Sequence, residues 1–142
     1  MIYHTQTAAD WRLVATEILA SLPARAGATV LALSGTLGAG KTTCTQSLAQ
    51  ALGVTERVTS PTFVLMQLYS AKHERFDRLV HIDAYRLETK DEAEVLRLGE
   101  YLADPHTFMV VEWPENIAGL LPEDIIQVAI NIEGEGRNIT VS

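Results

Sequence analysis

Apolar residues recur along this 142-residue chain with two different periods, and the alternation between them reads as an α/β protein. Two runs are apolar almost without interruption for the length of a strand, Thr29-Val30-Leu31-Ala32-Leu33-Ser34 and Thr107-Phe108-Met109-Val110-Val111. A strand lacking polar alternation is covered on both faces, as in the parallel centre of a sheet. Elsewhere the spacing is helical. Thr7 and Asp10 form a capping box ahead of Trp11, Val14, Ala15, Ile18, Leu19 and Leu22, which share one face, and Pro23 closes the segment. Thr43 through Leu52 reads as a second helix, with Leu48, Ala49 and Leu52 inward and Gly53 as its stop.

The rest of the chain alternates extended and turn signals. Val58 to Tyr69 is mostly extended, with a bend at Ser60-Pro61, and the polar turn from Ser70 to Asp77 leads into the short strand Leu79-Val80-His81-Ile82, ending at Asp83. Thr89 and Glu92 form a second capping box, predicting a short helix that Gly99 terminates. Ile125 to Ile132 and Arg137 to Val141 flank Glu133-Gly134-Glu135-Gly136 and read as a closing antiparallel hairpin. With no internal repeat or low-complexity linker, residues 1–142 are expected to form one α/β domain: a mixed, mostly parallel sheet, helices on both faces and a C-terminal antiparallel hairpin.

Composition narrows the function classes. A 47% hydrophobic content supports a sizeable core, while a net charge of −7 with only 11 lysines and arginines leaves no basic stripe for a nucleic-acid backbone. Tight direct binding of RNA or DNA is therefore not expected. Cys44 is the single cysteine and reads as a small packing residue. The start, Met1-Ile2-Tyr3-His4, lacks a basic region followed by an apolar stretch, and no long uninterrupted apolar segment occurs. The expectation is a soluble, cytoplasmic, monomeric chain without membrane contact.

The chemistry lies after the first buried strand. Gly35-Thr36-Leu37-Gly38-Ala39-Gly40-Lys41-Thr42 has the spacing of a phosphate-binding loop, and it stands between a predicted strand and a predicted helix, as that motif requires. Its glycines let successive N–H groups turn toward phosphate oxygens, and the helix N-terminus adds partial positive charge. Lys41 is expected to reach the β- and γ-phosphates, with the Thr42 hydroxyl on Mg²⁺. The fold is thus expected to be P-loop NTPase-like, and the cofactors to be ATP and Mg²⁺. Such a loop needs a carboxylate at the end of a neighbouring strand. Glu112, after Phe108-Met109-Val110-Val111, fits best, and Asp83 is the second candidate. His81, inside a strand, reads as a structural imidazole. Thr62, after the Ser60-Pro61 bend, occupies the stretch where switch segments touch the γ-phosphate and metal in related enzymes.

Taken in order, the glycine loop with Thr43, Ser60-Pro61-Thr62-Phe63, His81-Ile82-Asp83-Ala84-Tyr85-Arg86-Leu87 and Glu112-Trp113-Pro114-Glu115 closely resemble the bacterial ATPase family TsaE. The resemblance implies a small ATPase of the machinery that makes threonylcarbamoyladenosine beside the tRNA anticodon. It implies that Leu37 to Thr42 contact ATP, that Thr42 and Glu112 hold Mg²⁺, and that Asp83 is a further acid of the site. It also implies that the base meets the start of the first helix around Thr7 and Asp10, and that Arg137 faces the phosphates. TsaD and TsaB are the implied partners, with tRNA reached indirectly through their complex. Thr36 stands where the family usually has an aspartate, so one negative charge is missing beside the phosphates.

Two other function classes use the same loop. A small-molecule kinase needs an acceptor pocket and a basic lid, and no basic lid segment is visible. A GTPase switch would carry Asn-Lys-x-Asp, whereas Asn116, Asn131 and Asn138 are each followed by isoleucine.

Overall fold

The computed structural model describes residues 1–36, 38–59, 66–85 and 97–142. The expectations placed on Leu37, on Ser60 to Phe63 with Thr62, and on Arg86, Leu87, Thr89 and Glu92 lie outside them.

The described elements, in chain order, are β1 (Ile2–Thr5), α1 (Ala8–Ala20), β2 (Thr29–Gly35), α2 (Lys41–Ala51), β3 (Met66–Ser70), β4 (Arg78–Asp83), α3 (Leu98–Leu102), β5 (Thr107–Glu112), a 3-10 helix (Pro114–Leu120), β6 (Ile126–Glu133) and β7 (Gly136–Val141). The strands form one sheet in the order β1-β7-β6-β2-β5-β4-β3. β2 is parallel to both β5 and β6, and β4 is parallel to β5. Antiparallel partners close both sides: β3 on β4, β7 on β6 and β1 on β7. The two runs read as buried strands are β2 and β5, at the centre.

Two apolar layers sandwich the sheet, one on each face. Trp11, Val14, Ala15 and Ile18 of α1 and Cys44, Leu48 and Ala49 of α2 pack with Leu31, Leu33, Phe108 and Val110. On the opposite face Val30, Val80, Ile82, Met109 and Val111 pack with Leu98 of α3 and Ile117 of the 3-10 helix. Odd and even positions of one strand thus serve different layers, which is why β5 needs no polar residue before its end.

The capping box at Thr7 and Asp10 forms as expected. Gly53, just past α2, adopts φ +78°, the left-handed conformation that ends helices and that glycine enters without strain. The hairpin turns through Gly134 and Glu135, with Gly134 at φ +59° in the first central position of a II′-type turn. Two features differ from expectation. β1 was not foreseen; it is a four-residue edge strand with little buried surface to leave a pattern. Gly99 does not terminate a helix but lies inside α3, whose entry is set by Arg97 at φ 58°. An isolated glycine inside a helix is tolerated at a modest cost and need not mark its end.

Candidate functional site

β2 ends at Gly35 and α2 begins at Lys41, so the glycine loop forms the strand-to-helix connection. Three local features shape it. A Cβ at Gly35 would lie 2.8 Å from the Ile130 carbonyl oxygen, so only glycine lets the chain leave β2 so close to β6. Gly40 is the N-cap of α2 at φ 114°, and no side chain caps the helix. The amide groups of the first turn therefore lack a capping acceptor and carry the positive end of the helix dipole. Gly38 sits at φ +81° with open space where a side chain would be. An uncapped helix start behind an open glycine loop is a donor set suited to an anion such as a phosphate chain.

The acids come from the neighbouring strands. In the parallel β4–β5 ladder Asp83 pairs with Glu112, and in the β2–β5 ladder Glu112 pairs with Leu33. The carboxyl ends of β2, β5 and β4 consequently bring the loop, Glu112 and Asp83 to one rim of the sheet, where open α/β sheets bind ligands. Alternation along β4 and β5 puts Leu79, His81 and Asp83, with Phe108, Val110 and Glu112, on the face covered by α1 and α2.

Their environments differ. Glu112 is buried at 5% exposure, and one of its oxygens, Oε2, lies 2.8 Å from His81 Nε2, which is wholly buried. Asp83 is half-buried and accepts the Tyr85 amide at 3.0 Å. Cys44, in the first turn of α2, has its thiol pushed up to about 12, by burial first and then by the nearby Glu112 charge.

The aromatic contacts at this rim were not foreseen. Lys41 Nζ lies 4.8 Å from the centroid of the Trp113 ring, within cation–π range. Trp113 occupies φ 58°, a left-handed conformation unusual for a bulky residue, and its ring meets Tyr85 at 5.0 Å. Asn116 braces the same corner, its Nδ2 donating to the Ala84 carbonyl at 2.8 Å. A tryptophan directly after a strand-end acid was the available signal. A small cavity of about 80 Å³ remains between Leu33, Ser34, Gly35, Lys41, Trp113 and Glu115.

Two further residues reach the loop from the side. Arg137 of β7 donates through Nε to the Ala39 carbonyl at 2.8 Å and through Nη2 to that of Gly38 at 3.3 Å. Its guanidinium thus braces the loop backbone. Thr7 and Asp10 are engaged with each other: Thr7 Oγ1 accepts the Asp10 amide at 3.2 Å, and Asp10 Oδ2 accepts the amides of Gln6 and Thr7 at 2.9 and 3.1 Å. The helix they start abuts the loop, since a Cβ on Gly40 would meet the Trp11 ring at 3.1 Å. Beside Thr43 a recess of about 310 Å³ opens between Ala8, Arg12, Gln46, Ser47 and Arg57. Among the described residues no helix is long and apolar enough to cross a membrane.

Fold and site together define a mixed α/β protein with a glycine loop and two strand-end acids at one rim of its sheet. Residues 5–139 match the family described as Threonylcarbamoyl adenosine biosynthesis protein TsaE. The chain belongs to the TsaE family, whose role is in tRNA threonylcarbamoyladenosine biosynthesis. It is 44% identical over 124 residues to the tRNA threonylcarbamoyladenosine biosynthesis protein TsaE of Streptomyces coelicolor, covering 83% of this chain and 81% of that one. Identity to the Bacillus subtilis TsaE is 42% over 112 residues, 78% of this chain and 67% of the relative. The crystal structure of Bacillus subtilis YdiB superposes with a TM-score of 0.76 at 29% identity, covering 99% of this chain and 83% of that chain.

Proposed function

We propose that this chain is the Mg²⁺-dependent, ATP-binding and ATP-hydrolysing subunit of the threonylcarbamoyladenosine pathway, and that hydrolysis drives the cycle of a partner complex formed by TsaD and TsaB. The observation that carries the reading is the uncapped start of α2 behind Gly38 and Gly40, with Glu112 and Asp83 in register on the adjoining strand ends. The chain's residues divide the work. Gly35, Thr36, Leu37, Gly38, Ala39 and Gly40 supply the loop whose amides donate to the phosphates; Lys41 adds a positive charge there, and Thr43 flanks the nucleoside. Thr42 and Glu112 hold the metal, with Asp83 beside them orienting water or a second ligand position. When bound, Mg²⁺ supplies charge neutralisation on the transferring phosphoryl group. Thr62 senses the γ-phosphate. Arg137 keeps the loop in its receptive shape from the hairpin, and Thr7 and Asp10 border the base at the start of α1.

The acidic surface suits docking on a protein that holds the tRNA better than holding the tRNA itself, because phosphate-backbone binding is driven by lysine and arginine contacts. Calorimetric titration with ATP, ADP and GTP, with and without MgCl₂, tests the reading, together with a product assay including candidate acceptors. ATP bound more tightly than GTP, with inorganic phosphate released to water, is expected. Phosphate transferred to a metabolite acceptor would favour a kinase and overturn it.

A further inference from the structure

Within the buried layer under α2, one polar pair stands out. His81 is fully buried, in register with Val110 of β5, at a position that a leucine or valine would fill without polar cost. Its Nε2 lies 2.8 Å from Glu112 Oε2, while its Nδ1 is buried with no hydrogen-bond partner among the described residues. An ionised carboxylate can only accept, so at this distance Nε2 carries the hydrogen. The ring therefore donates to Glu112 through Nε2, while Nδ1 has no partner among the described residues. An unpartnered buried atom is destabilising, so the ring is a poor choice for packing alone. A buried carboxylate without a donor would be worse still.

We propose that His81 is a positioning residue for Glu112: its Nε2–H fixes the carboxyl group through Oε2, so that Oε1 is presented in one orientation to a divalent cation carried with a nucleoside triphosphate. This rests on the reading of Glu112 as a metal ligand given above. Carboxylates that bind metals are commonly held by such outer hydrogen bonds, and losing one typically weakens metal binding or activity 10–100-fold. The strand geometry fits this use. His81 and Glu112 lie on one face of adjacent parallel strands, and both strands are rigid inner members of the sheet, so the donor is fixed by backbone rather than by a loop.

The test is the gain in ATP affinity that MgCl₂ brings, measured by calorimetry for the full chain and for His81→Leu, His81→Gln and Glu112→Gln, with folding followed by circular dichroism. His81→Leu is expected to shrink the gain about 10-fold. His81→Gln carries an amide N–H the same number of bonds from Cα as Nε2, and it is expected to restore most of it. If Glu112→Gln keeps the wild-type gain, the metal reading of Glu112 itself fails. If Glu112→Gln loses the gain and a folded His81→Leu keeps it, the inference about His81 alone is overturned. Should His81→Leu not fold, His81→Gln decides: a folded Gln variant lacking the gain contradicts the donor role. Unfolding of both would make the imidazole a stability element and overturn the proposal.

Discussion

Single residues carry the sharpest consequences. Lys41 stands at the loop's exit with its ammonium over Trp113 rather than in the core, so truncation removes charge and little packing. Lys41→Ala is expected to weaken ATP binding roughly 30–100-fold, the loss of a charge-assisted contact, with an unchanged melting curve; wild-type affinity would remove the phosphate-loop reading. Glu112→Ala and Asp83→Ala are both expected to suppress turnover, with the larger change in Mg²⁺ dependence at Glu112, which is buried while Asp83 is half-exposed and holds the Tyr85 amide. Superimposable Mg²⁺ titrations for wild type and Glu112→Ala would show that the wrong acid was chosen. The strand-end acids were legible in the sequence because an apolar run followed by a carboxylate is a pattern along the chain. The His81 pairing was not, since a histidine inside a strand carries no mark of its partner on the next one. Burial explains Cys44 too: with its thiol raised from 9.0 to about 12 it is protonated in the fold at neutral pH, so alkylation by iodoacetamide at pH 8 should wait for unfolding.

At the scale of elements, legibility followed burial. β2 and β5 were readable because parallel, doubly covered strands must be continuously apolar, and α1 because its capping box and apolar stripe agree. β1 was missed because an edge strand of four residues buries too little to need a pattern. Gly99 was misread because a glycine marks a helix end only in context, and here the left-handed Arg97 sets the boundary. The capping box separates two roles for Thr7. Thr7→Ala should lower the melting midpoint by about 3 °C through loss of the cap; a large fall in ATP affinity with little change in melting would instead make Thr7 chiefly a nucleotide contact. The cap also has a pH sense. Bonds from the Gln6 and Thr7 amides lower the Asp10 pKa below its usual 3.8, so its contribution is present above that value and fades as the pH falls through the depressed folded value. Melting curves of Asp10→Asn and wild type should therefore converge in acid.

For the whole molecule, the sheet joins three partners into one rim: loop and helix from the N-terminal half, acids from β4 and β5, and the Arg137 brace from the closing hairpin. None of these segments forms the site alone. Arg137 is spent on loop carbonyls in this structure rather than held out as a finger for the transition state. Such a site is expected to turn over slowly until another protein orders it, and the net charge of −7 argues for a protein rather than tRNA as the activator. Steady-state ATP turnover tests this most directly, measured for the chain alone, with purified TsaB and TsaD, and with tRNA alone. The expected result is slow hydrolysis by the isolated chain and a marked rise only when the partner proteins are present. Fast turnover by the chain alone, or stimulation by tRNA without any partner protein, would contradict it.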